Sequence, residues 1–184
     1  MSTTRTPRLI ASLAATALAL PLMGLAAAPA QAATLPNSTA TMLQYMVAEE
    51  KLAHDVYTTL GASYDLPIFD NIARSETRHE SRVAFLLSRY GVSNPTTGDA
   101  VGQFDDPELQ SLYDQLVATG KRSVVDAAQA GITIEKRDIA DLSAALKQPL
   151  PSDVGRILSN LRRASVNHLA AFEQLEDSLH ATGA

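Results

Sequence analysis

The chain has 184 residues with 15 basic and 20 acidic side chains, a formal net charge of −5, no cysteine and no tryptophan. That balance excludes nucleic acid or an anionic membrane as the main partner. The lack of cysteine excludes disulfides, thiolate metal sites and iron–sulfur clusters, so nitrogen and oxygen must hold any metal.

The first element is an export signal. Arg5 and Arg8 precede an apolar run over 9–28, and Ala30-Gln31-Ala32 gives a small-x-small cleavage pattern. A run of this length approaches that of a membrane span, but Pro21 and Gly24 interrupt it and the cleavage pattern follows at once. Cleavage after Ala32 leaves a leader over 1–32 and a mature domain over 33–184, secreted or held in the cell envelope, with no stable membrane insertion. The leader takes two of the 15 basic residues and none of the 20 acidic ones, leaving 13 against 20 and a mature charge of −7. About 150 residues make one domain with a sufficient core.

From there the chain reads as helices with punctuated ends. Met42, Met46, Ala53, Tyr57 and Leu60 share one helical face and predict a helix over about 39–60, closed by Gly61. A second is predicted over about 67–90, with Asp65 as cap, Pro67 in the first turn and Gly91 as stop. Residues 92–106, rich in Gly, Pro, Thr, Asn and Asp, read as a loop. Asp106-Pro107-Glu108 starts a short helix that Gly120 stops. Asp105 and Asp106 are turn and cap residues, because the ligand spacing of an EF-hand is absent. Val124, Ala128, Glu135, Ile139, Leu142 and Leu146 share one face of a helix over about 122–147, with Gly131 as a candidate break. Pro149 and Pro151 make the next turn, and Ser152 or Asp153 caps a last helix reaching about 179. No segment alternates with period two, so the fold class is all-α.

Loop lengths select the topology. The first two helices are joined by a few residues, as are the last two, so each pair forms an antiparallel hairpin. The link between the pairs is about 30 residues long with a short helix inside, enough to cross a bundle from end to end. Two hairpins and one long crossover describe a ferritin-like four-helix bundle.

Polar residues interrupt the apolar stripes at matching depth. Glu76 and His79 lie three apart on the stripe that carries Ile68, Ile72, Val83, Leu86 and Tyr90, while Arg74, Arg78 and Arg82 face the other way. An ionised carboxylate there is costly unless it is paired or coordinates a cation, and Glu-x-x-His is the ligand pair that di-iron bundles repeat. Counted from the first hairpin turn near Tyr64, Glu50 lies 14 residues back and Glu76 12 forward. Around the second turn, near Pro149, Glu135 lies 14 back and His168 19 forward, with Ser165 at 16. At about 1.5 Å per residue these positions are nearly level. Asp138, three after Glu135, shares its face.

These residues carry a resemblance. Glu50 with Tyr57 seven later, Glu76-x-x-His79, Glu135 on a third helix and His168 on a fourth resemble the ferritin-like carboxylate-bridged di-iron group that includes rubrerythrins and bacterioferritins. Glu49-Glu50-Lys51-Leu52-Ala53, Asp55-Val56-Tyr57, Ile134-Glu135, Asp138-Ile139-Ala140-Asp141-Leu142 and Ser165-Val166-Asn167-His168-Leu169-Ala170-Ala171-Phe172 look, more closely, like a bacterial domain-of-unknown-function family within that fold. The resemblance covers nearly the whole mature chain and implies a metal centre.

One departure matters. The wider group has a second Glu-x-x-His on its last helix, whereas this chain has Ser165-Val166-Asn167-His168. Asp138 is the candidate replacement, giving metal ligands Glu50, Glu76, His79, Glu135, Asp138 and His168. In this reading Glu76 bridges, Glu50 and His79 hold one metal, Glu135 and His168 the other, and Tyr57 is the candidate catalytic residue as hydrogen-bond donor or redox-active phenol. Glu49 competes with Glu50 for the inward position, since the two straddle the stripe; Tyr57 seven residues after Glu50 favours Glu50 and leaves Glu49 a solvated or supporting group, and His54 lies at the edge of its stripe. Such ligands suit iron, as a di-iron pair, or manganese, and accept zinc. The expected chemistry is that of an oxidoreductase acting on oxygen or peroxide, peroxidase-like or ferroxidase-like. The alternative is a non-catalytic metal-binding or interaction domain. A homodimer is left open.

Overall fold

The computed structural model describes residues 34–183, so the leader expected over 1–32 lies outside the described residues. Among the described residues there are five helices and no strand: α1 (Asn37–Tyr64), α2 (Pro67–Arg89), α3 (Pro107–Gly120), α4 (Val124–Ala145) and α5 (Ser152–Thr182). The fold is all-α.

Four of the expected punctuation points act differently, two of them, Gly61 and Gly131, for a packing reason. Gly61 does not close α1 but lies buried within it, because a Cβ there would come 3.1 Å from Phe69 Cβ across the hairpin. The helix ends at Asp65, which turns left-handed at φ 49° and donates its N–H to Gly61 O. Asp65 therefore terminates α1, and Leu66 precedes α2 with Pro67 in the first turn. Gly131 does not break α4; it makes room for Phe172, whose ring atoms lie 2.7 Å from where a Cβ would stand. Neither Ser152 nor Asp153 caps α5, which follows Pro151 directly, whereas Asp106 does cap α3 by accepting the N–H groups of Glu108 and Leu109.

α1 and α2 run antiparallel, with Gly61 beside Phe69 near the turn and Gln44 reaching Ser93 at the far end. α4 and α5 do the same, through Gly131 beside Phe172 and Asp138 beside Ser165. Tyr64 Oη donates to Gly120 O at 2.7 Å, so α4 begins near the end of α1, opposite to where α2 finishes. The crossover thus travels the length of the bundle and lays α3 against α1 and α4.

A buried ion pair fixes that crossover. Lys51 Nζ donates to Asp55 Oδ2 at 2.5 Å, to Ala100 O at 2.9 Å and to Gln103 O at 3.2 Å, while Gly102 N–H donates to Asp55 Oδ2 at 2.9 Å. A buried lysine and aspartate are tolerated because each is both paired and bonded to backbone.

The apolar core is divided in two. One cluster gathers Tyr57, Leu60, Phe69, Ile132 and Phe172 around the first hairpin turn, and the other gathers Leu43, Val47, Leu86, Leu142 and Leu158 toward the opposite end. Glu50, Glu76, His79, Glu135 and Ser165 are buried between them.

Candidate metal centre

Each helix of the two hairpins sends a side chain into this layer. Glu50 comes from α1, Glu76 and His79 from α2, Glu135 from α4, and His168 from α5. The i, i+3 spacing turns Glu76 and His79 the same way, and antiparallel pairing brings the level counted from each turn into contact.

Glu76 is the centre of the geometry. Its Oε2 lies 2.7 Å from His79 Nδ1 and its Oε1 lies 2.8 Å from His168 Nδ1. Glu50 Oε2 stands 3.3 Å from His79 Nδ1, and Glu135 Oε1 stands 3.6 Å from His168 Nδ1. The imidazoles face one another with ring centroids 5.6 Å apart. Two donor triads result, Glu50, Glu76, His79 and Glu76, Glu135, His168, sharing Glu76, and the donor atoms of each lie within 4.8 Å of one another.

The donor atoms fit cations better than they fit each other. Glu50 Oε1, Glu76 Oε1, His79 Nδ1 and His168 Nδ1 are buried without a hydrogen-bond partner. Despite the short nitrogen–oxygen approaches, these atoms converge without satisfying one another. Buried polar atoms are rarely left so.

The charges of the metal-free layer follow from burial and pairing. Burial pushes Glu50 well up, and the charge of Asp138 adds to it. Glu135 rises to about 7 through burial, His168 opposing and Glu76 reinforcing. Burial would raise Glu76 too, but the His168 and His79 imidazoles hold it well below the usual carboxylate range. Against their own burial, His79 is raised to about 10 by Glu50 and Glu76, and His168 to about 9 by Glu135 and Glu76. Without metal, an ionised Glu76 therefore sits between two imidazolium rings, with a protonated Glu50 beside them.

Tyr57 supports the layer from below. Fully buried, its hydroxyl donates to Glu135 Oε1 at 2.8 Å, and its ring packs against Phe172 and Phe69 at 5.1 and 6.5 Å. It reaches the site through Glu135. Asp138 joins neither triad; its Oδ2 accepts from Ser165 Oγ at 2.5 Å, and Ser165 also donates to Leu161 O. His54 stays outside, half-buried, with Nδ1 2.8 Å from Asp55 Oδ1. On the α2/α5 side His79 borders a cleft of about 260 Å³ lined by Arg78, Arg82 and Arg156.

The whole set lies within a recognisable stretch. A family model described as "Uncharacterized protein domain (DUF2202)" matches residues 39–180, from before Glu50 to beyond His168. The chain belongs to the DUF2202 family. Another protein similar to it, "Uncharacterized protein MJ0754" of Methanocaldococcus jannaschii, is 42% identical over 127 residues, 69% of each chain. The crystal structure of hypothetical protein MJ0754 from Methanococcus jannaschii DSM 2661 has a TM-score of 0.78 at 38% identity, covering 80% of this chain and 85% of that one.

In this DUF2202 chain Glu49 takes the supporting one of its two expected roles, and Lys51 and Asp55 add a support that helix spacing alone did not indicate. Glu49 is not solvated: it is 7% exposed and accepts from Arg137 Nε at 2.9 Å. Lys51 and Asp55 bind the crossover. The signal was present in Glu49-Glu50-Lys51 and Asp55, a density of charge that a single-faced helix would leave in water. α3 and the crossover cover the faces of α1 that a four-helix wheel treats as outside.

Proposed function

We propose that this chain is an exported ferritin-like metalloprotein whose two triads hold a pair of iron ions bridged by Glu76 and act on oxygen or peroxide. The observation that carries the reading is Glu76 itself, a buried carboxylate with one oxygen at each of two imidazoles, 2.7 and 2.8 Å away. The antiparallel hairpins and the full-length crossover support the ferritin-like arrangement. Glu50 and His79 hold one ion, Glu135 and His168 the other; manganese or zinc suits the same donors. A ferrous pair held by these residues would supply the electrons, one from each ion, for reduction of oxygen or peroxide.

The remaining roles belong to the protein. Tyr57 fixes the orientation of Glu135 and keeps a proton beside it. Asp138, held by Ser165 outside both triads, is the further carboxylate of the layer, and its charge reaches Glu50 of the first triad. The apolar clusters above and below keep bulk water out, and the arginine-lined cleft at His79 is the way in for oxygen or peroxide. Ser165, standing where a bridging glutamate is expected, favours a second reading, a metal-binding domain without turnover.

Metal content tests both. Protein purified without chelators and dialysed should retain between one and two equivalents of transition metal, and a Glu76→Ala, His79→Ala double variant almost none. Equal metal in both proteins would put the binding elsewhere. Retained metal with no oxygen or peroxide consumption would leave the domain without turnover.

A further inference from the structure

We infer that the arginine-lined cleft between α2 and α5 binds a phosphate-type oxyanion, either free phosphate or the phosphate end of a small ester. Arg78 and Arg82 line it from α2 and Arg156 from α5, with Ile157 and Leu161 supplying apolar wall. Arg78 and Arg82 stand four residues apart and so share a helical face. A volume of about 260 Å³ leaves ample room for a tetrahedral oxyanion.

No carboxylate lines this cleft, although the chain has 20 acidic residues against 15 basic ones. Among the described residues Arg89, Arg122 and Arg137 meet acidic partners at 3.1, 3.0 and 2.9 Å, whereas Arg78, Arg82 and Arg156 meet none. Like charges around one cleft repel, and an anion between them replaces that repulsion with attraction.

The remaining polar groups of the lining are donors as well. Asn160 Oδ1 already accepts from Arg163 Nη2 at 2.7 Å, which leaves its amide NH2 to offer. His79 is the buried polar residue of the lining, 7% exposed; its Nδ1 is turned to Glu76 and Glu50 at 2.7 and 3.3 Å, so Nε2 is the polar atom left over. With Nδ1 on a metal, Nε2 carries a proton and donates. Guanidinium forks, an amide NH2 and an imidazole N–H address several oxygens at once, which suits phosphate better than a carboxylate. The negative balance of the whole chain confines the attraction to the cleft, so a small anion is favoured over a polyanion that would also meet the acidic surface around it. The site rests on the arginines and Asn160 and stands whether or not metal is bound. An anion there narrows the opening assigned above to oxygen or peroxide.

The test is a calorimetric titration of inorganic phosphate into the mature chain, as purified and after removal of metal, at constant ionic strength. A single saturable site is expected in both forms, and sulfate should compete for it while chloride should not. Arg82→Gln and Arg156→Gln should each weaken binding about tenfold with helicity unchanged, whereas Arg122→Gln, just before α4, should leave it as it was. Glycerol 3-phosphate separates the two sources: tighter binding than phosphate assigns the ester, and equal or weaker binding the free anion. Heats that never saturate overturn the proposal, as does an Arg82→Gln, Arg156→Gln double variant that binds phosphate as tightly as the parent. Saturation confined to the metal-loaded chain would place phosphate on the metal and overturn it too.

Discussion

At the scale of single residues, the account turns on how a bundle keeps carboxylates and imidazoles buried. In the metal-free chain protons stand in for cations: His79 and His168, at about 10 and 9, hold theirs at neutral pH, and burial keeps one on Glu50. Metal must displace them, because imidazole and carboxylate coordinate in their deprotonated forms. Loading should therefore release protons, and affinity should fall as pH falls. Calorimetric titrations in buffers of different ionisation enthalpy read this directly; a heat independent of buffer would contradict it. Tyr57 makes a separate prediction. Tyr57→Phe keeps the ring against Phe172 and removes only the bond to Glu135, so the fold should persist while metal affinity drops about 10- to 100-fold, the usual effect of losing a group that orients a ligand. Competition with a chelator measures it, and unchanged affinity would leave Tyr57 a packing residue. The inward direction of Glu76 and His79 was legible from spacing alone. The side on which Glu49 lies was not, because neighbours on a helix differ by about 100° and both can be buried once a fifth helix packs there.

At the scale of elements, the crossover depends on α1 more than its loop-like composition suggests. Asp55 holds it through Gly102, and opposing burial, the His54 ring, Lys51 and that backbone N–H keep the Asp55 carboxyl below its ordinary value. Since the folded value lies below the unfolded one near about 3.9, the stabilisation from Asp55 is complete above that pH and is lost as pH falls through the folded value. Asp55→Asn should imitate this acid loss at neutral pH. Amide exchange at Gly102 and Gln103 should quicken in the variant while α4 and α5 remain protected; unchanged exchange would show the loop held by other contacts. Helix number, order and approximate length were legible because period-3.6 stripes and proline or glycine punctuation are local. Gly61 and Gly131 misled because the same residue that ends a helix also lets two helices approach closely, and only the partner side chains Phe69 and Phe172 decide which role applies.

At the scale of the whole molecule, two apolar clusters clamp a polar layer at mid-height, so folding positions the donors before any ion arrives. Level counting from the hairpin turns anticipated that layer, since antiparallel helices of equal rise must meet level with one another. The cover that α3 lays over α1 and α4 was not legible, because it needs the path of the crossover and not merely its length. The central claim is that Glu76 spans two metal positions. Crystals grown with iron or manganese and measured for anomalous scattering test it most directly. The account predicts two anomalous peaks about 3.5–4 Å apart, one within bonding reach of Glu50 and His79, the other of Glu135 and His168, with Glu76 touching both. A single peak, or peaks only at exposed carboxylates with the layer between the clusters empty, would contradict it.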